Sequence, residues 1–127
     1  MGQPATYNVA LYLRLSRDDG TDRESSSIQN QRDMLVKYCR DNGFSNYTEY
    51  VDDGWSGMTA ERPSFQKMLS DIENGKINCV ITKDLSRLGR NYLETGGFVE
   101  LFFPEHNCRY IAVNDGVDTA NGSTEPL

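Results

Sequence analysis

Cys79-Val80-Ile81-Thr82-Lys83-Asp84-Leu85-Ser86-Arg87-Leu88-Gly89-Arg90 begins as a short apolar run of strand formers and becomes, within one residue, a polar turn with three basic side chains. Four such residues read as a buried strand. Upstream, Pro63 stands where the first turn of a helix tolerates proline, and Phe65, Met68, Leu69 and Ile72 give an i, i+3, i+4, i+7 stripe that ends at Asn74-Gly75. Further back, Tyr47 to Val51 reads as a strand, and Ile28, Leu35, Tyr38 and Cys39 recur at helical spacing between a capping box at Ser26-x-x-Gln29 and the stop Asn42-Gly43. Val9-Ala10-Leu11-Tyr12-Leu13 is the first strand. Downstream, a third helix is expected to start near Asn91, with Leu93, Phe98, Val99, Leu101 and Phe102 as its apolar face and Pro104 as its end, before a fourth strand at Tyr110-Ile111-Ala112-Val113. Strands and helices thus alternate. The order predicts an α/β fold with a mainly parallel central sheet of four strands and helices on both faces.

The chain has 127 residues, the size of a single domain. No run of about 18 apolar residues is present, and Met1 to Thr6 lacks the layout of a signal peptide, so a cytoplasmic location is expected. Cys39, Cys79 and Cys108 are odd in number and widely spaced, which suggests neither a disulfide framework nor a zinc site, but three reduced and mostly buried thiols. The net charge of −6 runs against a self-sufficient nucleic-acid-binding domain. That objection weakens if arginines cluster at one place, because local potential steers a ligand more than net charge does.

In a doubly wound sheet the ligand site lies beyond the carboxyl ends of the strands. Arg14 and Ser16 leave the first strand, Asp53 and Arg62 flank the loop after the second, and Arg87 and Arg90 leave the third. Guanidinium groups present a planar fork of donors that matches phosphate oxygens, so four of them around one hydroxyl suit phosphoryl transfer. His106 follows Pro104 and is expected at the surface, which leaves a Ser-His-Asp triad without support.

Tyr12-Leu13-Arg14-Leu15-Ser16, then Ser27-Ile28-Gln29-Asn30-Gln31-Arg32, then Asp53-Gly54-Trp55-Ser56-Gly57 with Arg62, then Leu85-Ser86-Arg87-Leu88-Gly89-Arg90 occur in an order and spacing that resemble the serine recombinases, over about residues 7–119. Any one block is weak; four in register are specific. The start of the chain and the turn after the third strand look most like the large serine recombinases of transposons, integrative elements and phages. The resemblance implies a resolvase-like catalytic domain in which Ser16 cleaves and rejoins DNA through a covalent 5′-phosphoserine. It further implies that Arg14, Arg87 and Arg90 contact the scissile phosphate, that Arg62 supports them, and that Tyr12, Gln31 and Asp53 are further site positions. No cofactor or metal is called for. The sequence departs from the resolvase and invertase pattern at Ser86, where that pattern has aspartate, and Asp84 stands two residues earlier.

The resemblance also implies a partner, double-stranded DNA engaged by a longer protein, which would form a homodimer and then a synaptic homotetramer. Residues 120–127 read as a polar tail, and the dimerisation helix and DNA-binding domains of the family are not recognised, so the chain alone is expected to be monomeric and unable to recombine DNA. Two readings of another class stand beside this one. Asp52-Asp53 after a strand, with Asp18-Asp19 after the first, also fits a receiver-like signalling domain or a metal-dependent nuclease. The receiver-like reading does not account for Arg14, Arg87 and Arg90, which would oppose a divalent cation, and metal dependence separates both readings from a recombinase. Singly, Ser16 could start a turn, each arginine could be solvated, Tyr12 could belong to the core, and Trp55 could anchor packing or touch DNA.

Overall fold

The computed structural model describes residues 7–14, 24–52, 62–89 and 92–121. Strand β1 spans Val9–Arg14, helix α1 Glu24–Asn42, β2 Tyr47–Asp52, α2 Pro63–Glu73, β3 Cys79–Thr82 and β4 Arg109–Ala112. A fifth strand, β5, follows at Val117–Asp118. The order across the sheet is β2-β1-β3-β4-β5, parallel throughout except for β5, which runs antiparallel to β4.

Period-two alternation in β1 sorts its side chains to the two faces. Val9, Leu11 and Leu13 join Ile28, Leu35 and Cys39 of α1, while Ala10 and Tyr12 join Phe65, Met68 and Ile72 of α2 together with Leu88 and Phe103. The sheet is therefore covered on both sides, as a parallel sheet requires. All three cysteines are free and buried, and burial pushes the Cys39 thiol up to about 11 and the Cys108 thiol up to about 12. Helices α1 and α2 stop where the sequence places Asn-Gly, with Gly43 at φ 80° and Gly75 at φ 78°, a left-handed conformation that costs glycine nothing.

Two expectations are corrected. The sheet has five strands, not the four expected: the chain after β4 turns through Gly116, at φ 66°, and adds β5, which a bidentate pair from Arg109 to Asp118 holds at 2.9 and 2.7 Å. The third helix does not end at Pro104. It runs as α3 (Tyr92–Gly97), a π-helical segment (Phe98–Phe102) and α4 (Phe103–Glu105), and Pro104 sits in the first turn of α4, where its missing N–H is not needed. The π segment adds a residue to one turn, which gathers Phe98, Phe102 and Phe103 and leaves Leu93 and Leu101 exposed. His106 caps this run, half-buried, with Nδ1 2.9 Å from the Phe102 carbonyl.

Candidate active site

β1 pairs with β3 only from Val9 to Leu11, although its pairing with β2 continues to Arg14. Beyond Leu11 the ladder toward β3 is open, and two side chains bond the backbone of the strand's last residue. The buried amide of Gln31, from α1, accepts from the Arg14 N–H at 3.2 Å and donates to its carbonyl at 3.1 Å. Arg87 Nη1 donates to the same carbonyl at 2.9 Å. The arrangement is reciprocal. Arg14 Nε donates to the Arg87 carbonyl at 3.0 Å and its Nη2 to that of Ser86. Arg14, Gln31, Ser86 and Arg87 are thus one hydrogen-bonded unit at the carboxyl end of the sheet.

After β3 the chain makes a single 3₁₀ turn, Leu85–Arg87, capped by Asp84. Asp84 Oδ1 accepts from the Ser86 N–H at 3.1 Å and from its hydroxyl at 2.6 Å, and lies 3.6 Å from Arg87 Nε. At the position where the resolvase pattern has aspartate, this chain has a serine whose hydroxyl is held by the carboxylate two residues back.

A second network adjoins the first. Arg62, buried and left-handed at φ 46°, ψ 69°, stacks 4.0 Å over Phe65, donates from Nη1 to the Leu88 carbonyl at 2.7 Å and pairs with Glu94 at 3.7 Å. A side chain in that region of backbone space costs about 1–3 kcal/mol, here offset by the contacts that hold the guanidinium. Its carbonyl partner is the residue after Arg87, so Arg62 fixes the exit of the arginine turn. Gly89 continues that turn against α3: a Cβ there would lie 2.5 Å from Thr95 Oγ1 and 2.7 Å from the Thr95 amide nitrogen. Only glycine allows this approach.

Tyr12 is fully buried. Its hydroxyl donates to Asp52 Oδ2 at 2.8 Å, and burial, reinforced by that carboxylate, holds the phenol far above its ordinary range, so it stays a protonated donor. Asp52 also accepts from the Ser64 and Phe65 amides, each at 3.0 Å, and so caps α2 from the end of β2. The sequence pointed to its neighbour Asp53; Asp52 is the carboxylate that the described residues bond, and an aspartate closing a strand ten residues ahead of a helix-starting Arg-Pro was its only trace. Ser16, Asp53 and Arg90 lie outside the described residues, as do Asp18, Asp19 and Trp55. Of the ten residues singled out, the structure joins Arg14, Gln31, Asp84, Ser86 and Arg87 directly and brings Arg62 against them through the Leu88 carbonyl, while Tyr12 bonds Asp52, which caps α2. Among the described residues, no group of three or more His, Cys, Asp or Glu side chains could hold a metal ion.

The described residues thus form a five-stranded α/β sheet whose carboxyl edge carries arginines held by reciprocal hydrogen bonds. The family model of the resolvase N-terminal domain matches residues 9–127, and the chain belongs to that family, the serine recombinases, as a catalytic domain. It is 36% identical over 75 residues to an uncharacterized immunity region protein of Bacillus phage phi105, covering 59% of this chain and 90% of that protein. It is 32% identical over 85 residues to a putative DNA recombinase of Bacillus subtilis, covering 67% of this chain and 16% of that much longer protein. The crystal structure of the N-terminal catalytic domain of TP901-1 integrase is 33% identical and superposes with a TM-score of 0.71, over 88% of this chain and 81% of that one. The chain is accordingly a recombinase domain, and a likeness that includes a phage protein and an integrase fits mobile DNA.

Proposed function

We propose that Ser16 is the nucleophile of a site-specific DNA recombinase, and that Arg14, Arg87 and Arg90 bind the scissile phosphate with Arg62 behind them. The observation that carries this reading is the reciprocal bonding of Arg14 and Arg87, which holds two guanidinium groups together two residues along the chain from Ser16. Their charge favours the serine alkoxide and offsets the charge that builds on phosphorus. The Ser16 Oγ–P bond forms as the bond from phosphorus to the 3′ oxygen breaks. The proton lost by Ser16 is balanced by the one gained on the 3′ hydroxyl, and the serine ester conserves the energy for rejoining. Gln31 fixes the strand end, Asp84 and Ser86 shape the turn, Tyr12 acts through Asp52, and Asp53 is a further polar group of the site.

We propose further that this chain works in the cytoplasm as the catalytic part of a longer protein that supplies the DNA-binding domains and the helix for homodimer and synaptic homotetramer formation. The small share of the Bacillus subtilis recombinase that it spans supports this. The net charge of −6 agrees with it. The chain alone should be monomeric in analytical ultracentrifugation and should not shift duplex DNA at physiological salt. In the longer protein, DNA carrying an element end and a nick that traps cleavage should yield a covalent protein–DNA adduct at a 5′-phosphate. The adduct should persist with chelator and vanish in Ser16→Ala. An adduct that survives Ser16→Ala, or one lost on chelation, would overturn the reading.

A further inference from the structure

The turn that carries Ser86 and Arg87 is braced from a direction the site does not otherwise use. The first amides of a 3₁₀ turn have no partner within it. Here both are bonded by aspartates: the Ser86 N–H by Asp84 at 3.1 Å, and the Leu85 N–H by Asp115 Oδ2 at 2.7 Å. Asp115 comes from the β4–β5 connection, thirty residues further along the chain.

The approach of that connection is itself prepared. Past the ends of β3 and β4 the pairing of the two chains continues, with the Val113 N–H donating to the Thr82 carbonyl at 3.1 Å and the Asn114 N–H to the Lys83 carbonyl at 2.8 Å. The Thr82 hydroxyl, 2.7 Å from the Tyr110 hydroxyl, lies 2.8 Å from the Asp84 carbonyl. Asp115 is the next residue after this extension and the one that reaches the turn. With both amides held, the carbonyls of Ser86 and Arg87 face the Arg14 guanidinium, and the Arg87 guanidinium faces the Arg14 carbonyl.

We infer that Asp115 is a positioning residue for the recombinase reaction: its carboxylate caps the arginine turn across the sheet and fixes the direction in which Arg87 leaves it. The inference rests on the reading of Arg87 as a phosphate ligand. Asp115 touches no reacting atom. It is exposed, so its bond to an exposed amide contributes little to holding the core together, whereas loss of the bond lets the turn rotate. A misplacement of about 1 Å at a reacting group costs roughly 100-fold in rate.

The test separates position from stability. In this chain, hydrogen exchange at the Leu85 amide should speed up at least tenfold in Asp115→Ala and stay near the wild-type rate in Asp115→Asn, whose carbonyl oxygen still accepts. In the longer recombinase, Asp115→Ala should slow formation of the trapped adduct by roughly 10- to 100-fold at unchanged DNA affinity, and Asp115→Asn should restore most of the rate. Equal cleavage rates for Asp115→Ala and the wild type would overturn the inference while leaving Ser16 as nucleophile. So would an unchanged Leu85 exchange rate. If the wild type forms no adduct, the reading of Ser16 falls, and the exchange measurement alone decides whether Asp115 holds the turn.

Discussion

The two ends of the sheet use arginine in opposite ways. At the amino edge, Arg109 closes on Asp118 through a bidentate pair at 2.9 and 2.7 Å, and its guanidinium lies 5.2 Å from the Tyr7 ring and 5.5 Å from that of Phe44. Asparagines supply further ties there, with the Asn8 N–H donating to the Asn78 side chain at 2.7 Å and the Asn46 amide to that of Asn8. At the carboxyl edge, Arg14, Arg62 and Arg87 donate to main-chain carbonyls at comparable distances, and the ion pairs of Arg62 with Glu94 and of Arg87 with Asp84 are longer, 3.7 and 3.6 Å. A carbonyl orients a guanidinium without cancelling its charge; a carboxylate at bonding distance does both. The described contacts finish the arginine of one edge with a carboxylate and orient those of the other through carbonyls.

Exchanging the arginines at the two edges tests that contrast, and the largest effect is expected at Arg87. Arg87→Ala should reduce trapped cleavage by about 100- to 1,000-fold, the scale on which loss of one preorganised donor to a developing anion is felt. Arg87→Lys should recover only part of it, because an ammonium cannot form the planar fork. Arg109→Ala should leave the cleavage rate of the folded enzyme unchanged and lower its melting temperature. A cleavage defect in Arg109→Ala as large as that of Arg87→Ala would erase the distinction between the edges.

The next effect is on stability, at Asp52. Asp52→Ala strands the buried Tyr12 hydroxyl and removes the partners of two amides at the start of α2, at a cost of about 2–4 kcal/mol in urea unfolding. Tyr12→Phe in the same background should cost little more, since the hydroxyl is already unpaired. Additive losses would mean that the two residues do not act together.

Smaller still is Gly89→Ala. The added methyl meets both the Thr95 side chain and its backbone, so α3 or the arginine turn must move, at about 1–3 kcal/mol. Because Gly89 borders Arg90, the cleavage rate should fall more than the unfolding free energy alone accounts for. A stability loss with no change in rate would show that the turn absorbs the methyl without moving its arginines.

Periodicity made most of the scaffold legible: Val9 to Leu13 and Cys79 to Thr82 are runs of strand formers, and the α2 stripe at Phe65, Met68 and Ile72 is the one the helix buries. Where periodicity failed, the cause is local. β5 has two residues, too few for an alternation to show, and it depends on an ion pair formed across nine residues. In the third helix Leu93 and Leu101 fit an unbroken α-helical stripe, but the π segment shifts the phase, so the aromatics turn inward and the leucines outward. Among the candidate residues, Arg14 and Arg87, which the structure joins by hydrogen bonds, were legible from their place at or after the ends of strands. Asp52 and Asp115 were not, because their role is to bond backbone amides distant in sequence, and an aspartate in a turn looks alike whether it caps a neighbour or faces water.

The smallest expected effect concerns the finished edge and its response to acid. The Arg109 guanidinium, outweighing partial burial, holds the Asp118 carboxyl below its ordinary value, and the Tyr50 hydroxyl does the same for Asp71. A carboxylate whose pKa is lower folded than unfolded contributes stability that is complete above the unfolded value of about 3.9 and is lost as pH falls through the folded value. The protein should therefore lose melting temperature as pH falls from about 5 past the unfolded value and on through the lower folded values, because these groups take up protons preferentially in the unfolded state. Asp118→Asn should lower stability at pH 7 by about 1 kcal/mol, since the pair is partly exposed, and should flatten the acid limb of the curve. The two curves should converge only as pH falls below the folded value of Asp118, where the wild-type carboxyl takes up its proton. If they instead run parallel throughout, the contribution of Asp118 is its shape and its bond to the Ala120 amide rather than its charge, and the amino edge is not held by an ion pair in the way the comparison requires.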